Sequence, residues 1–486
     1  MKEKKQSTNQ SKSIDYDVVI IGGGINGGGI ARELAIQGIS VALFEQGDFA
    51  QGTSSASSKL VHGGLRYLET FDVKLVKEAL MERYLLLKNA PDFVKIMPFA
   101  VPIYPGLSRP SWKVYCGLKL YRWLEGRFHL GEFEWLNKNQ TLNRYPWLSA
   151  HNLSGCGIYH DAKMDDARLC IETILQAETL GAVVSNYSKV TSVVPKSGYA
   201  VVTTVDEFTQ QETTHSARIV INTVGPWLNS FLNNATSVRG QFIRSSKGSH
   251  IVINKVFGPT AFLIQAPQDK RVMFVIPRDD GESSLVGTTE LATSMNPEDV
   301  TISPSEINYL IRALNEYFPK KKVASSHVLS AFSGIRPLIN PGKKSIGKIS
   351  REHSLVQHDE TIMSLIGGKY TTYRSVSESV ARTVISQLKK KWCDSVSTRD
   401  LTLSTITLDS SIDHAINHTH AKRAIDYVRR RTPLMLNGQL DSNKIDTVIT
   451  TFTDHFNWTN KRQAEERSLI QNELTKAISP YKLSKK

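Results

Sequence analysis

The sequence has few cysteines and no long apolar run. Its four cysteines, Cys116, Cys156, Cys170 and Cys393, are scattered through 486 residues without a C-x-x-C pair. This spacing argues against a zinc site or a disulfide framework and fits a reducing compartment, so no metal is expected. No run of about 18 uncharged apolar residues occurs, and nothing is expected to span a membrane. The lysine-rich N-terminus lacks an apolar stretch, which indicates a disordered tail over residues 1–14 rather than a signal peptide.

Composition and charge are those of a soluble globular protein with anionic partners. Hydrophobic residues make up 40% of the chain and charged residues 22%, and the length predicts about three folding units. Lys and Arg number 60 against 46 for Asp and Glu, a net charge of +14. This balance favours a phosphorylated substrate, acidic lipid head groups or nucleic acid, although a generally basic proteome would give the same excess.

The most informative stretch begins with four β-branched residues in a row, 18–21, as in a parallel strand buried on both faces. Gly22, Gly24 and Gly27 follow with G-x-G-x-x-G spacing. That spacing permits a tight turn, close approach of a pyrophosphate, and close packing of the next helix. Glu45 lies 21 residues past Gly24, where an acid can bind a ribose hydroxyl. The stretch predicts dinucleotide binding, and the acid fits FAD or NAD better than NADP.

Further blocks along the chain extend this motif. The blocks are Gly22–Gly29, Thr53–Leu60, Val61–Glu69, Met164–Leu169, Ile221–Trp227, Lys247–Val252, Phe274–Pro277, Gly287–Glu290, Ser333–Pro337 and Gly367–Arg374. In this order they closely resemble the FAD-dependent glycerol-3-phosphate dehydrogenases, which belong to the glycine oxidase and D-amino-acid oxidase superfamily. The resemblance covers about residues 15–385 and thins after Asp400. Glu290 stands where the family pattern has Asp.

The resemblance implies an α/β fold in which a Rossmann-like FAD-binding domain is interleaved with a β-sheet substrate domain of the glycine oxidase/D-amino-acid oxidase type. A helical C-terminal domain is expected to follow. The expected ranges are 15–80, 160–238 and 335–390 for the FAD-binding domain, 81–159 and 239–334 for the substrate-binding or cap domain, and 391–486 for the helical domain. Apolar spacing predicts helices near 75–88, 165–180 and 307–318, and another that opens at residues 367–368.

FAD is the implied cofactor, and a flavin needs no second dinucleotide because it can pass on electrons one or two at a time. The residues that the resemblance places at FAD are Gly22, Gly24, Ile25, Asn26, Gly27, Glu45, Thr53, Ser54, Ser55, Lys59, Leu60, His62, Gly64, Leu65, Gly225, Gly368, Lys369, Thr371 and Thr372. The predicted helix start at Gly368 and Lys369 would also stabilise an anionic reduced flavin.

Oxidation of a phosphorylated secondary alcohol needs cations that position the phosphate and a group that takes the hydroxyl proton. The candidates are Arg66, Tyr67, Arg336, Arg351 and Lys369 for substrate binding, and Arg336, His250 and Lys369 for catalysis. Arg336 precedes a proline in a stiff turn and could chelate a phosphate or a developing alkoxide. His250 could titrate near neutral pH and take the proton, or it could be a core histidine. Any single arginine could instead be a solvated surface charge, and Arg351 has the weakest context.

The segment 112–128 is rich in Trp, Tyr, Leu, Lys and Arg. A stripe at helical spacing contains Trp112, Cys116, Leu120, Trp123 and Leu124, with Lys113, Lys119, Arg122 and Arg127 nearby. Other apolar residues lie off the stripe, so a buried packing helix and an interfacial membrane helix are both open. The resemblance favours the membrane.

The resemblance implies oxidation of sn-glycerol 3-phosphate to dihydroxyacetone phosphate by a peripheral enzyme on the cytoplasmic side of the cell membrane. The expected partners are glycerol 3-phosphate, a membrane quinone and an anionic lipid surface, with a homodimer as an option and no nucleic acid. An oxidase of the same substrate, which would make peroxide, is not separated by these blocks. Further alternatives are an amino-acid oxidase of the superfamily and a basic membrane-associated protein with a vestigial flavin site.

Overall fold

The computed structural model describes residues 14–70, 72–340, 353–403 and 410–482. Its strands are β1 (Tyr16–Ile21), β2 (Val41–Phe44), β3 (Leu60–Val61), β4 (Val94–Ile103), β5 (Glu134–Asn137), β6 (Gly155–Met164), β7 (Val183–Ser185), β8 (Ser188–Lys196), β9 (Tyr199–Asp206), β10 (Glu212–Asn222), β11 (Ile243–Ile253), β12 (Ala261–Gln265), β13 (Val272–Pro277), β14 (Ser284–Gly287), β15 (Leu291–Ala292), β16 (Val328–Ile339), β17 (His353–Gln357) and β18 (Ile362–Gly367). Its helices are α1 (Ile25–Ile36), α2 (Val73–Asn89), α3 (Ser111–Glu125), α4 (Lys138–Arg144), α5 (Asp166–Thr179), α6 (Leu228–Ala235), α7 (Pro304–Tyr317), α8 (Tyr373–Gln387), α9 (Ile412–His418), α10 (Ala424–Asp426), α11 (Ser442–Phe456) and α12 (Asn460–Lys482).

The first sheet has a parallel centre in the order β7-β2-β1-β10-β18, with β17 antiparallel at one edge. The hairpin β8–β9 joins the first half of β10. Residues 18–20 of β1 are fully buried, as their uninterrupted β-branched run predicts. Helices α1, α5 and α8 cover one face, where Ile30, Ile174 and Val380 enter the same core cluster. This layer is a Rossmann-like arrangement that brings the glycine-rich turn to the carboxyl edge of the sheet.

The second sheet has the strand order β15-β11-β14-β13-β12-β4-β6-β3. Strand β16 pairs with β11 along its length, and β5 pairs with β6. Helix α7 packs on one face, where Leu310 and Leu314 enter a core cluster with Phe262. Helices α2 and α3 contribute Leu80 and Leu118 to a separate cluster against β4 and β6. The two helices thereby pack against this sheet.

The C-terminal helices have a small core of their own around Val428, Ile449 and Phe452. A buried ion network joins this unit to the first sheet, because Arg430 and Arg431 both pair with Asp48 in the loop after β2. Among the described residues, no helix is long and apolar enough to cross a membrane.

The predicted helices near 75–88, 165–180 and 307–318 are confirmed as α2, α5 and α7. The prediction that a helix opens at Gly367–Gly368 is wrong by several residues. Both glycines have positive φ, 76° and 93°, and a 3₁₀ turn precedes the start of α8 at Tyr373. Strands β6 and β16 cross the expected domain limits at 160 and 335, and both lie in the second sheet.

Candidate active site

The turn between β1 and α1 has the geometry that a pyrophosphate needs. Gly22 has φ +110°, and a Cβ on Gly27 would lie 2.0 Å from the carbonyl oxygen of Gly22. Strand and helix are therefore in direct backbone contact at the third glycine of the motif. Glu45 accepts hydrogen bonds from the backbone N–H groups of Gly23 (2.6 Å) and Gly47 (2.9 Å). These bonds fix its carboxylate beside the turn.

Two adjoining cavities fit the two halves of FAD. One, of about 630 Å³, is lined by the glycine turn and Glu45, and by Gly225 after β10. The other, of about 670 Å³, lies along the second sheet. Thr53, Ser57, Pro337 and residues 367–370 line both cavities. The two cavities are continuous and form an elongated path from Glu45 to the second sheet. The residues present therefore fit the cofactor.

Most of the predicted cofactor residues line these two cavities. They are Gly22, Gly24, Ile25, Asn26, Glu45, Thr53, Ser54, Leu60, His62, Gly64, Leu65, Gly225, Gly368, Lys369 and Thr371. Four others do not line them. Gly27 packs against Gly22, and Thr372 is buried. Ser55 and Lys59 line a different cavity on the far side of their loop, where Lys59 pairs with Asp166.

Two buried aspartates, Asp161 and Asp166, hold the flavin loop, defined here as residues 57–63. Asp166 accepts hydrogen bonds from the backbone N–H (3.2 Å) and hydroxyl (2.7 Å) of Ser57. Asp161 accepts hydrogen bonds from the backbone N–H of Gly63 (3.2 Å) and the Tyr121 hydroxyl (2.8 Å). Sequence reasoning missed both roles. The only signal was the position of Asp166 in the block 164–169.

Arg336 lies flat across the neighbouring strand of the second sheet. Ser246 of β11 pairs with Arg336 of β16, and the guanidinium extends over Gly248. A Cβ on Gly248 would lie 2.5 Å from Arg336 Nη2, so only glycine leaves this space. Nη2 donates a hydrogen bond to Thr288 Oγ1 at 3.1 Å. The strand pairing thus fixes the planar fork in the cavity.

Lys369 and Tyr67 meet at the other side of the same cavity. The Lys369 ammonium lies 3.7 Å from the centroid of the Tyr67 ring, and both residues line the cavity with Arg336. This contact is a cation–π interaction, which orders the ammonium without neutralising its charge. The described structure does not include the Arg66 side chain, and Arg351 lies outside the described residues.

His250 lines the cavity. Of the two possibilities that the sequence leaves open for this residue, titration near neutral pH is wrong. The ring is 2% exposed, and it stacks on Phe332 with centroids 5.0 Å apart. Burial, followed by the charges of Arg336 and Lys59, lowers the pKa of His250 to about 3. Its Nε2 lies 2.9 Å from Ser58 Oγ, and its buried Nδ1 has no hydrogen-bond partner among the described residues. The imidazole is therefore neutral and can accept a proton.

The fold and this cavity define a flavin-dependent oxidoreductase. A dinucleotide path ends in a chamber that contains a rigid guanidinium, an ordered ammonium and a neutral imidazole. Such a group of residues can bind an anionic substrate and stabilise an alkoxide that develops next to the flavin.

Comparison with known proteins gives the family. The family model for FAD-dependent oxidoreductases matches residues 17–374. The chain is 40% identical to the D-erythritol 1-phosphate dehydrogenase of Brucella abortus (strain 2308) over 74% of this chain and 72% of that protein. It is 39% identical to the aerobic glycerol-3-phosphate dehydrogenase of Escherichia coli (strain K12), with the same two coverages of 74% and 72%. The FAD-complexed glycerol-3-phosphate dehydrogenase structure from Bacillus halodurans matches with TM-score 0.78 and 26% identity over 96% of each chain.

The chain therefore belongs to the FAD-dependent oxidoreductase family, in the group that contains the glycerol-3-phosphate dehydrogenases. The resemblance drawn from the sequence blocks, the fold class and FAD as the cofactor are confirmed. The roles of individual site residues remain predictions.

Proposed function

We propose that the protein oxidises sn-glycerol 3-phosphate to dihydroxyacetone phosphate with FAD and passes the electrons to a membrane quinone. The observation that carries this proposal is the placement of Arg336, Lys369 and His250 in one chamber that adjoins the dinucleotide path. FAD, when bound, would supply the hydride acceptor for oxidation of the secondary alcohol. The remaining chemistry belongs to side chains of this chain.

The two cations position the substrate and stabilise charge. Arg336 and Lys369 bind the phosphate and the oxygen that becomes anionic, because a guanidinium offers paired donors and an ammonium offers three. The ring of Tyr67 orders the ammonium of Lys369. Neutral His250 is the candidate to take the hydroxyl proton, and Ser58 orients its ring through a contact at Nε2. A pKa of about 3 makes the free imidazole a weak base, so proton transfer depends on the alkoxide being stabilised by the cations.

The decisive experiment is an anaerobic spectral titration of the purified holoprotein. Glycerol 3-phosphate should bleach the flavin absorbance with one equivalent of substrate oxidised per flavin. Amino acids should leave the spectrum unchanged, because the chamber offers cations for a phosphate. A protein that carries no flavin would support the vestigial alternative, and bleaching by amino acids alone would support an amino-acid oxidase.

The acceptor is tested on the same preparation. We expect quinone or dye reduction to exceed peroxide formation by a wide margin when glycerol 3-phosphate is the substrate. Peroxide formed in proportion to the substrate consumed would instead make the protein an oxidase.

The proposal includes a peripheral position on the cytoplasmic side of the cell membrane. One face of α3 supports it, because Trp112 and Trp123 are 70% and 71% exposed and Leu120 is 40% exposed between them. Exposed Cys116 completes this stripe. Trp112, Cys116 and Leu120 also line the chamber, so the stripe borders the cavity in which the flavin would lie. A quinone that leaves the bilayer at this stripe would enter the chamber directly.

The membrane contact is tested by the double variant Trp112→Ser/Trp123→Ser. Attraction of acidic lipid to Lys and Arg, about 1 kcal/mol for each residue near the surface, is screened by salt, whereas tryptophan burial is not. The variant should bind anionic vesicles more weakly, above all at high salt, and keep its dye-coupled activity. The control Val183→Ser/Val194→Ser removes apolar surface of 47% and 43% exposed residues elsewhere and should bind like the wild type. Equal loss in both double variants would remove α3 from the membrane contact.

A second substrate of the same class belongs to the proposal. D-erythritol 1-phosphate gives the Brucella relative its name, and that relative is as similar to this chain as the Escherichia coli one. D-erythritol 1-phosphate has one carbon and one hydroxyl more than glycerol 3-phosphate. Residues in the chamber wall next to Arg336 could determine which of these two substrates the enzyme prefers.

A further inference from the structure

An ion pair forms part of the chamber wall beyond Arg336. Arg271 Nη1 pairs with Glu290, and both residues line the chamber. The side chains are 26% and 9% exposed, respectively. Asp269 holds the same guanidinium from the other side, with its Oδ2 3.5 Å from Arg271 Nε, and it does not line the chamber. The pair is therefore oriented by contacts within the protein before any ligand arrives.

The wall of the chamber places this pair within reach of a substrate held at Arg336. Thr288, which accepts the hydrogen bond from Arg336, and Glu290 line the chamber, whereas Thr289 between them bonds to buried Glu306. Thr288 and Glu290 therefore both face the chamber. Two residues of chain span at most about 7 Å. A ligand that extends from Arg336 along this wall therefore reaches Glu290.

The chemistry of the pair suits hydroxyl groups rather than a phosphate. The charge of Arg271 is balanced by Glu290 and Asp269, and the Glu290 carboxylate repels a phosphate dianion. A carboxylate accepts several hydrogen bonds, and a guanidinium has five N–H donors. The Arg271 guanidinium is a donor and the adjacent Glu290 carboxylate is an acceptor. Together they match a vicinal diol, whose hydroxyls both donate and accept hydrogen bonds.

We propose that Arg271 and Glu290 bind the hydroxyl end of the substrate and set the length of polyol phosphate that the enzyme accepts. This inference rests on the proposed function, because it assumes that the phosphate and the reacting carbon lie at Arg336 and Lys369. A four-carbon polyol phosphate places its terminal hydroxyls at the pair, while glycerol 3-phosphate ends short of it. The protein should consequently oxidise both lengths.

The test compares kcat/KM of the holoenzyme for D-erythritol 1-phosphate and glycerol 3-phosphate in a dye-coupled assay. Glu290→Gln keeps the size but loses the charged acceptor. It should lower kcat/KM for erythritol phosphate about tenfold or more and leave that for glycerol 3-phosphate within about threefold. Glu290→Asp keeps the charge on a shorter side chain and should fall between the wild type and the Gln variant. Retained oxidation of glycerol 3-phosphate shows that each variant is folded and carries flavin.

The matched control is Asp279→Asn, which removes a carboxylate that pairs with Lys163 and does not line the chamber. Its ratio of the two kcat/KM values should stay within about twofold of wild type. The proposal is overturned if Glu290→Gln changes both substrates equally, if Asp279→Asn shifts the ratio as much, or if the wild type turns over glycerol 3-phosphate alone. Wild-type flavin that neither substrate reduces would instead refute the proposed function.

Discussion

Replacing Gly248 by alanine should disable Arg336 without unfolding the protein. A Cβ at this position would lie 2.5 Å from Nη2, 2.7 Å from Nη1 and 2.8 Å from Cζ of Arg336. These distances are far shorter than ordinary van der Waals contact, so the guanidinium must leave its place. Gly248 lies inside β11 and its φ is not positive, so its backbone conformation is one that alanine can adopt. The damage should therefore be confined to the site.

The magnitude follows from the interactions that Arg336 loses. Displacement breaks its 3.1 Å hydrogen bond to Thr288 and separates the paired donors from the substrate. Hydrogen bonds to charged groups are worth about 1.5–3 kcal/mol, which corresponds to roughly tenfold to a hundredfold in kcat/KM. The assay is anaerobic flavin reduction by glycerol 3-phosphate in rapid mixing, with flavin content and thermal unfolding measured on the same sample. We expect full flavin and a slow reductive step.

A double-variant cycle decides whether the effect passes through Arg336. Arg336→Lys keeps the charge but loses the fork, and it should cost about the same 1.5–3 kcal/mol of transition-state stabilisation. If both substitutions act on one interaction, the double variant should be only slightly slower than either single variant. Additive losses would show that Gly248 acts by another route. A Gly248→Ala enzyme with wild-type kinetics would refute the placement of Arg336 itself.

Three further results are expected. Gly24→Val should yield colourless protein, because even a Cβ would lie 3.1 Å from Ser54 Oγ and the branches would project into the pyrophosphate path; full flavin in a folded variant would contradict this. Tyr121→Phe removes the hydroxyl that accepts a 2.9 Å hydrogen bond from the Gly63 N–H. This variant should shift the flavin spectrum and lower kcat more than it changes KM, whereas a loss of stability alone would make the bond merely structural. Since the pKa of His250 is about 3 in the fold and about 6.5 when unfolded, the unfolded chain binds more protons between these values. The free energy of unfolding should accordingly rise with pH between about 3 and 6.5, and it should rise by less in the His250→Asn variant. The pH profile of kcat/KM should show no histidine titration near pH 6.5.

The dinucleotide half of the site could be predicted because its determinants are local in sequence. A buried strand, three glycines and an acid at a fixed separation specify one turn, and 18–21, Gly22, Gly27 and Glu45 occupy the expected places. The substrate half depends on strand register. Gly248 affects the site only because β11 pairs with β16, which places Arg336 over it. Asp161 affects the site only because β6 brings its carboxylate to the Gly63 N–H. Single-sequence reasoning contains no register, so it found Arg336 but not the residues that hold the site.

Burial explains in the same way why His250 does not titrate near neutral pH. An isolated histidine has a pKa near 6.5, and the sequence offers no reason to depart from it. The fold places the ring against Phe332 and brings Arg336 and Lys59 close, and both desolvation and like charge disfavour the imidazolium. A pKa that is set by three distant segments cannot be inferred from the residue's neighbours in sequence.

The impure apolar pattern of α3 results from two apolar faces on one helix. Val114, Leu118 and Tyr121 lie at most 9% exposed and pack under the second sheet, whereas Trp112 and Trp123 are mostly exposed. A core helix and an interfacial helix are therefore compatible readings of α3. Packing against the core accounts for Val114, Leu118 and Tyr121, and it does not account for the exposed tryptophans. Substitutions on the exposed face leave the core face intact. That separation is why a loss of vesicle binding with retained flavin and activity would bear on the membrane contact alone.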